Sequence, residues 1–435
     1  LNIEIYLKII AEWVRGAEFP SLVPRELSIP DLTIRTRPIL AVVGPRRAGK
    51  TYFLYQIIRD LQSKHGVSRD EILFVDFEDY RLRRVKPEDI EILLSAFYQL
   101  TGKTPRYIFF DEVQHIPLWS RVIRTLHNSR KYSIVVTGSN STLLASEIAT
   151  ELRGRYEDCL VLPFSFREFL RFQQIDYSPA VLATPEVGLI LRAFDDYLRF
   201  GGFPEVAGIK EESAKRRVLQ SYFDTIFYKD IIDRHKIRAR DLLDIVMRNL
   251  LESYASVFSV SAFEKQLKEY GISGSKRSIA DYLRFLSEAF FLIVLEKFAF
   301  SPRKRMMNPK KVYTTDPGFC LLSGSFSENR GHLLENVVAI ELFRRRQRFM
   351  YFQEKGECDF IIQEGPKVKE AWQVCWEINR FNEKRELSGL VEAWRKLNIK
   401  NGGILTYNQS GVRSFNGFKV QLIPVWRWLL SYQQD

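Results

Sequence analysis

Short apolar runs that end in polar residues recur along the first third of the chain. They cover residues 39–43, 72–77, 107–112 and 133–137. Runs of this kind are typical of strands buried on both faces of a parallel sheet. Between two of them, residues 87–100 carry apolar positions at helical spacing. Alternating strands and helices predict an α/β fold, a parallel sheet flanked by helices, with a ligand site at the carboxyl ends of the strands.

Later segments follow other patterns. Residues 1–36 combine an amphipathic helix with a connector that contains three prolines, and residues 179–238 are mostly helical. Two short helices, over 262–270 and 276–289, flank a glycine-containing turn and precede a strand-like run. This order resembles a winged helix-turn-helix. One further helix and two strands predict a small α/β region near the end of the chain.

Composition narrows the class of protein. A chain of 435 residues with 46% hydrophobic residues is expected to form several domains, and its net charge of +12 favours a polyanionic partner. Its four cysteines are far apart without a C-x-x-C pair, which predicts a reducing, cytoplasmic compartment and neither a disulfide framework nor a zinc finger. No apolar run reaches the roughly 18 residues of a membrane span, so we expect no membrane segment.

One loop carries the clearest candidate chemistry. Residues 44–51 match the phosphate-loop pattern G-x-x-x-x-G-K-[ST] at every fixed position, after a strand and before a helical run. Its glycines let backbone N–H groups surround phosphate oxygens, the lysine adds positive charge, and the threonine hydroxyl can bind Mg²⁺. A basic glycine turn without a ligand is the alternative. We predict nucleoside triphosphate binding by Gly44, Pro45, Arg46, Arg47, Ala48, Gly49, Lys50, Thr51 and Tyr52.

Polar residues at the ends of two later strands complete a predicted hydrolytic site. Asp111 and Glu112 follow four apolar residues. We assign Asp111, with Thr51, to Mg²⁺ and Glu112 to the attacking water. Asn140 and its neighbour Ser139, which follow the next strand, are candidate sensors of the outer phosphate.

Two arginines follow this segment. Arg153 and Arg155 are candidates for neutralising charge in the transition state, in their own subunit or at a neighbouring subunit of a homo-oligomer. Ordinary surface arginines are the alternative.

Several of these segments together resemble a known family. They are residues 44–51, 74–79, 110–114, 136–140, 153–155 and 162–169. They look like the archaeal and bacterial AAA+ ATPases, of the AAA_14 type, that carry a DUF4143-type C-terminal region. The resemblance runs along most of the chain, and it implies ATP hydrolysis with ATP and Mg²⁺ as cofactors. The segment 197–205, with Gly201 and Gly202, also resembles that family, and we expect it to serve tight packing.

Pattern and resemblance together predict five segments. They are an N-terminal helix and connector (1–36), a P-loop AAA+ ATPase domain (37–178), a helical region (179–238), a winged helix-turn-helix-like domain (239–325) and a nuclease-like domain (326–435).

The last segment resembles the core of PD-(D/E)xK nucleases. Glu335 and Asp359 match its helix and strand carboxylates, but Gln373-Val374-Cys375 stands where those enzymes have E-x-K. The chain therefore lacks a metal ligand and a positive charge at the triplet, although Glu377 shares the expected strand face of Gln373 and Cys375. We favour a degenerate nuclease-like fold used for binding or assembly, and active metal-dependent cleavage is kept as a third alternative.

Basic residues around the winged-helix-like segment are candidates for DNA contacts. In that hypothesis they face phosphates or base edges, and those after residue 300 form a basic wing. A winged helix that only spaces domains is the alternative. The candidates are Lys276, Arg277, Arg284, Arg303, Lys304 and Arg305, with Ser275, Lys310 and Lys311 beside them.

The sequence thus predicts a Mg²⁺-dependent AAA+ ATPase whose nucleotide-driven conformational change acts on DNA. The alternative is a signalling or scaffolding ATPase that binds a protein partner and has no role on nucleic acid. DNA binding that weakens as salt rises distinguishes the two.

Overall fold

The computed structural model describes residues 2–16, 19–34, 38–139, 156–324, 329–399 and 401–431. Its contacts group the chain into two compact units, a first unit, Leu1–Leu162, and a second unit, Pro163–Asp435. The finer boundaries after residues 36, 178, 238 and 325 stay predictions. Within the described ranges, no helix is both long enough and apolar enough to cross a membrane.

The first unit is built on a five-stranded sheet in the order β2-β3-β4-β1-β5, with every strand parallel to its neighbours. The α/β fold class predicted from the sequence is confirmed. Its elements are α1 Ile3–Val14, β1 Ile39–Val43, α2 Lys50–His65, β2 Ile72–Asp76, α3 Asp89–Thr101, β3 Tyr107–Asp111, α4 Trp119–Asn128, β4 Ser133–Gly138 and β5 Tyr156–Leu160.

Burial explains why these short runs are strands. Every residue of β1 and β3 is buried, as expected where helices cover both faces of a parallel sheet. The N-terminal helix α1 packs on this core through Trp13, whose indole N–H donates to Ile72 O at 2.7 Å and whose ring stacks on Phe74. Parallel strands align their carboxyl ends, so the loops after β1, β3 and β4 lie at one edge.

The second unit combines helices with two sheets. A six-stranded mixed sheet has the order β13-β14-β12-β11-β10-β9, and a three-stranded antiparallel sheet has the order β6-β8-β7. Its helices are α5 Phe166–Phe172, α6 Val187–Phe200, α7 Pro204–Gly208, α8 Glu212–Thr225, which continues as a π-helix over Ile226–Asp233, α9 Arg240–Glu252, α10 Val260–Glu269, α11 Lys276–Glu288, α12 Pro302–Met307, α13 Arg330–Arg344, α14 Glu383–Leu397 and α15 Val425–Ser431. Its strands are β6 Ser256–Phe258, β7 Leu292–Glu296, β8 Lys310–Thr314, β9 Arg348–Gln353, β10 Glu357–Glu364, β11 Lys367–Val374, β12 Asn401–Thr406, β13 Gly411–Phe415 and β14 Phe418–Pro424.

The two sheets of the second unit are connected. Lys297, just after β7, pairs with Tyr351 of β9, and the Phe298 N–H donates to Tyr351 O at 2.7 Å. The Tyr351 hydroxyl donates to Pro309 O at 2.8 Å, just before β8. The three-stranded sheet and the six-stranded sheet therefore share backbone contacts.

The glycine pair after α6 serves tight packing, as predicted. Gly201 has φ +78°, and a Cβ there would lie 1.7 Å from Asp316 Oδ1. The Gly202 N–H donates to Asp316 Oδ2 at 2.8 Å, and a Cβ at Gly202 would meet Phe164 O at 2.3 Å. A larger residue at either position would displace backbone or a buried carboxylate.

Three sequence predictions about the second unit are wrong. Residues 302–307 form the short helix α12 instead of part of a basic wing, and Lys311, expected on the same wing, is only 3% exposed. Neighbouring strand residues point to opposite faces, so Lys310 faces outward while Lys311 points into the unit. The expected strand face of Glu377 is also absent, because β11 ends at Val374 and Glu377 is exposed beyond it.

Candidate nucleotide-binding site

The phosphate loop connects β1 to α2 in a conformation that only glycine accepts at its ends. Gly44 has φ +154°, and a Cβ there would lie 1.9 Å from Val161 O, in the segment that follows β5. Gly49 has φ +95° and lies at the N-cap of α2, where it adds no side chain between the helix N–H groups and an anion. Arg47, between the two glycines, also has a positive φ, of 64°.

Lys50 is buried beneath this loop. Its ammonium donates to Gly44 O at 3.3 Å and Pro45 O at 3.2 Å, and forms an ion pair with Glu112 Oε1 at 3.2 Å. Two of these three partners are carbonyl oxygens of the loop itself, and all three contacts are long for a charged donor. The Lys50 ammonium can therefore exchange these partners for phosphate oxygens.

Thr51 and Asp111 face one another between α2 and β3. The Thr51 hydroxyl donates to Asp111 Oδ2 at 2.6 Å, and the Thr137 hydroxyl of β4 donates to Asp111 Oδ1. Burial raises the pKa of Asp111 to about 6, against the opposing effect of these two hydrogen bonds. A hydroxyl and a carboxylate placed together are oxygen donors of the kind that Mg²⁺ prefers, so the pair fits this ion.

Glu112 follows directly in a left-handed backbone conformation, with φ +50°. Its N–H donates to the Thr137 hydroxyl at 2.8 Å, and its Oε2 accepts from the Gln114 amide. Burial opposes its charged form, but the Lys50 charge and the Gln114 hydrogen bond lower the pKa of Glu112 below its usual value. Glu112 is therefore an ionised carboxylate that can accept a proton.

Sequence reasoning missed three residues of this site. Thr137 links Asp111 to Glu112, and Gln114 orients Glu112. Arg25, from the connector before β1, is buried and donates to Ala48 O at 2.9 Å and to Leu162 O, so it holds the phosphate loop against the segment after β5. Two signals in the sequence could have indicated them. Thr137 is a polar residue that follows three apolar residues of its strand, and Arg25 follows Pro24 in the connector.

The other predicted nucleotide-site residues differ in their contacts and exposure. Arg46 forms an ion pair with Glu78 at 2.8 Å, Tyr52 is 51% exposed at the first turn of α2, and Ser139 is buried after β4. The predicted sensor and the two predicted arginines, Asn140, Arg153 and Arg155, lie outside the described residues.

The DNA candidates lie on two helices of the second unit. Lys276 and Arg277 are exposed at the start of α11, and Arg303 and Lys304 are exposed on α12. Two further candidates differ from these. Arg305 is half-buried, and Arg284 makes ion pairs with Asp281 and Glu288 along its own helix.

The predicted nuclease-like residues are brought together in part. Glu335 of α13 and Asp359 of β10 share one partner, the ammonium of Lys311, and Gln373 Oε1 accepts from the Asp359 N–H at 3.2 Å. Cys375 instead packs in an apolar cluster with Ile378 and Leu390, and burial raises its thiol pKa.

Family models match two parts of the chain. Residues 36–170 match an AAA domain, AAA_14, and residues 191–328 match a domain of unknown function, DUF8612. The model matched in the second unit is thus a different one from the DUF4143-type region expected from the sequence.

Two solved structures are also similar. The Walker-type ATPase PABY2304 of Pyrococcus abyssi has a TM-score of 0.39 and 16% identity, over 70% of this chain and 98% of that one. The ORC1 protein of Aeropyrum pernix, solved in complex with DNA, has a TM-score of 0.30 and 14% identity, over 79% of this chain and 93% of that one.

Curated relatives cover nearly the whole chain. A protein of Haemophilus influenzae is 28% identical over 90% of this chain and 94% of its own length. Uncharacterized protein MJ1544 of Methanocaldococcus jannaschii is 34% identical over 92% of this chain and 91% of its own length. The chain belongs to the same family as MJ1544, and its first unit carries an AAA-type domain with a phosphate loop.

Proposed function

We propose that the first unit binds ATP with Mg²⁺ and hydrolyses the bond to its terminal phosphate. The observation that supports this most is the convergence of Lys50, Thr51, Asp111 and Glu112, called the loop site below, at the carboxyl ends of β1 and β3. A cation, two oxygen donors and an ionised carboxylate are the groups that phosphoryl transfer to water requires.

Each residue has a role that follows from its position. The N–H groups of the loop and of the α2 N-terminus bind phosphate oxygens, and Lys50 leaves Gly44 O and Pro45 O to join them. Thr51 and Asp111 would hold Mg²⁺, which supplies positive charge against the phosphates when bound. Glu112 accepts a proton from water as the water oxygen bonds to the γ-phosphorus and the bond to the β-phosphate oxygen breaks.

Phosphate release at saturating ATP and Mg²⁺ tests this proposal. We expect Lys50→Ala to lose at least about 10²-fold in turnover, as when one electrostatic donor is removed from a transition state. Lys64→Ala is the matched control, because Lys64 lies on the same helix but is exposed and paired with Asp60. Equal turnover in Lys50→Ala and Lys64→Ala would contradict the proposal.

We further propose that the second unit binds DNA through α11 and α12. The order α9, β6, α10, α11, β7, β8 is that of a winged helix, and Lys276, Arg277, Arg303 and Lys304 are exposed on it. Such side chains suit phosphate contacts, and the net charge of +12 favours the same partner.

Fluorescence anisotropy with duplex DNA tests this second part. We expect Lys276→Ala with Arg277→Ala to weaken binding and to reduce the slope of log affinity against log salt by about 2. Arg284→Ala is the control, because Arg284 already pairs with two carboxylates of its own helix. No binding to DNA at low salt would favour the protein-partner alternative instead.

The roles of Asn140, Arg153 and Arg155 stay within this proposal as sensor and arginine-finger candidates. If either arginine acts across a homo-oligomer interface, mixing an Arg153→Ala, Arg155→Ala variant with Lys50→Ala will restore turnover, because each supplies what the other lacks.

A further inference from the structure

One buried ammonium in the second unit meets three carboxylates. Lys311 Nζ donates to Glu335 Oε1 at 2.7 Å and to Asp359 Oδ1 at 2.8 Å, and forms an ion pair with Glu357 Oε1 at 2.7 Å. Lys311, Glu335 and Asp359 are each less than 10% exposed. An ammonium has three N–H donors, so these three oxygens use its full capacity. The four residues are called the Lys311 centre below.

The outer shell of the Lys311 centre is also satisfied. Glu335 Oε1 accepts a second hydrogen bond from the Tyr313 hydroxyl at 2.7 Å, and Asp359 Oδ2 accepts from the Val374 N–H at 2.9 Å. Gln373, which stands where a nuclease has a carboxylate, accepts from the Asp359 N–H and donates to Glu386 Oε2 at 2.8 Å. The Gln373 amide thus accepts one hydrogen bond and donates another. An ionised carboxylate at this position could not donate to Glu386, because it only accepts hydrogen bonds.

The residues of the centre come from separate elements. Lys311 and Tyr313 belong to β8 of the three-stranded sheet, Glu335 to α13, and Glu357 and Asp359 to β10 of the six-stranded sheet. Next to them, the Thr314 N–H donates to Asn336 Oδ1 at 2.8 Å and the Asn336 amide donates back to Thr314 O. The ion pairs therefore hold β8 against both α13 and β10.

We propose that the Lys311 ammonium is the resident cation of this carboxylate cluster, in the place of a divalent metal ion, and that its removal converts the cluster into a Ca²⁺ site. A metal ion bound by the same three oxygens would coincide with the ammonium nitrogen, so the two cannot be present together. With Lys311 in place, no group of three or more His, Cys, Asp or Glu side chains in the described ranges could hold a metal ion. The centre is closed to metal in the intact chain.

Charge and size identify the ion that would replace the ammonium. Without Lys311, buried carboxylates would lack a counter-charge, which is strongly unfavourable. Ca²⁺ takes oxygen ligands at about 2.3–2.6 Å, whereas Mg²⁺ requires about 2.0–2.1 Å in a strict octahedron. The present nitrogen-to-oxygen distances of 2.7 and 2.8 Å need a smaller contraction for Ca²⁺. We therefore expect the Lys311 centre without its lysine to prefer Ca²⁺ over Mg²⁺, whereas the loop site is expected to bind Mg²⁺.

Calorimetric titration of CaCl₂ and MgCl₂ into the full chain tests the proposal. Every variant carries Asp111→Asn, which removes the carboxylate of the loop site. We expect no Ca²⁺ binding in this background or with Lys310→Ala, whose lysine is on the same strand but pairs with Glu296. With Lys311→Ala we expect one Ca²⁺ per chain, with Kd at or below about 10⁻³ M, tighter than Mg²⁺ and lost when Asp359→Asn is added.

Two results would overturn the proposal. One is divalent-ion binding, or Mn²⁺-dependent cleavage of DNA, by the chain with Lys311 intact that disappears with Asp359→Asn. The other is a folded Lys311→Ala chain that gains no Ca²⁺ site. If Lys311→Ala does not fold, Lys311→Gln replaces it, and the melting temperature is measured with and without Ca²⁺. A rise with Ca²⁺ supports the proposal, and no rise contradicts it.

Discussion

The loop site and the Lys311 centre each place a buried lysine beside carboxylates, but the two lysines are held differently. Lys50 has three contacts of 3.2–3.3 Å, and two of its partners are backbone carbonyls of its own loop. Lys311 has three contacts of 2.7–2.8 Å, all to carboxylates of other elements. Long contacts to neutral oxygens are easily exchanged, whereas short charge-assisted contacts are not. The first lysine is available to a ligand, and the second is part of the fold.

The largest effect is expected at the loop site, on turnover. Glu112→Gln removes the proton acceptor but keeps the size of the side chain, so we expect kcat to fall about 10²–10⁴-fold with little change in KM. Steady-state phosphate release checks this. Gln114→Ala is the graded comparison, because Gln114 acts only by orienting Glu112, and its loss should be smaller. A Glu112→Gln chain with normal kcat would assign the proton transfer to another group.

The next effect is expected at the Lys311 centre, on stability. Lys311→Ala leaves buried carboxylates without their partner, and we expect the free energy of unfolding to fall by about 3–5 kcal/mol. Lys310→Ala removes a more exposed ion pair on the same strand and should cost less than about 1 kcal/mol. Urea denaturation without divalent ions measures both. Equal losses in the two variants would show that Lys311 is no more fixed than a surface lysine.

A smaller effect is expected at the buried carboxyl of Asp316, on the pH dependence of stability. Burial raises the pKa of Asp316 to about 7, although the Gly202 and Gly318 N–H groups and Arg344 act in the opposite direction. Because the folded state binds the proton more tightly than the unfolded state, this group's contribution is complete below about pH 4 and is lost as pH rises through 7. The stability advantage of the wild type over Asp316→Asn should therefore shrink by up to about 1.4 kcal/mol per pH unit in this window.

Denaturation at several pH values between 5 and 8 measures that difference. Comparing the variant with the wild type cancels the groups that both chains share. An advantage that stays constant across the window would mean that Asp316 titrates as an ordinary surface carboxylate.

The sequence predicted most of the first unit because its signals are local. The run at residues 39–43 is β1, and α2 begins at Lys50, as the glycine-bounded loop requires. The left-handed conformation of Glu112 and the burial of Arg25 depend on Thr137, Ala48 and Leu162, which are distant in sequence. No local pattern encodes those contacts.

In the second unit, the local pattern at Lys310 and Lys311 led to a wrong prediction of exposure. Lys311 follows Lys310, and two adjacent lysines suggest an exposed basic pair, but neighbouring residues of a strand point to opposite faces. Its partners Glu335 and Asp359 are 24 and 48 residues away. The sequence singles out Glu335 and Asp359, but their positive partner is Lys311 of the three-stranded sheet and does not come from the triplet at residues 373–375.

Titration calorimetry of ATP with Mg²⁺ into the wild type and Lys50→Ala tests most directly whether Lys50 is an exchangeable cation. We predict that the wild type binds one ATP per chain and that Lys50→Ala binds at least about tenfold more weakly, the loss of roughly 1.4 kcal/mol or more expected for a charged contact. Equal ATP affinity in the two chains, or no ATP binding by the wild type, would contradict the account.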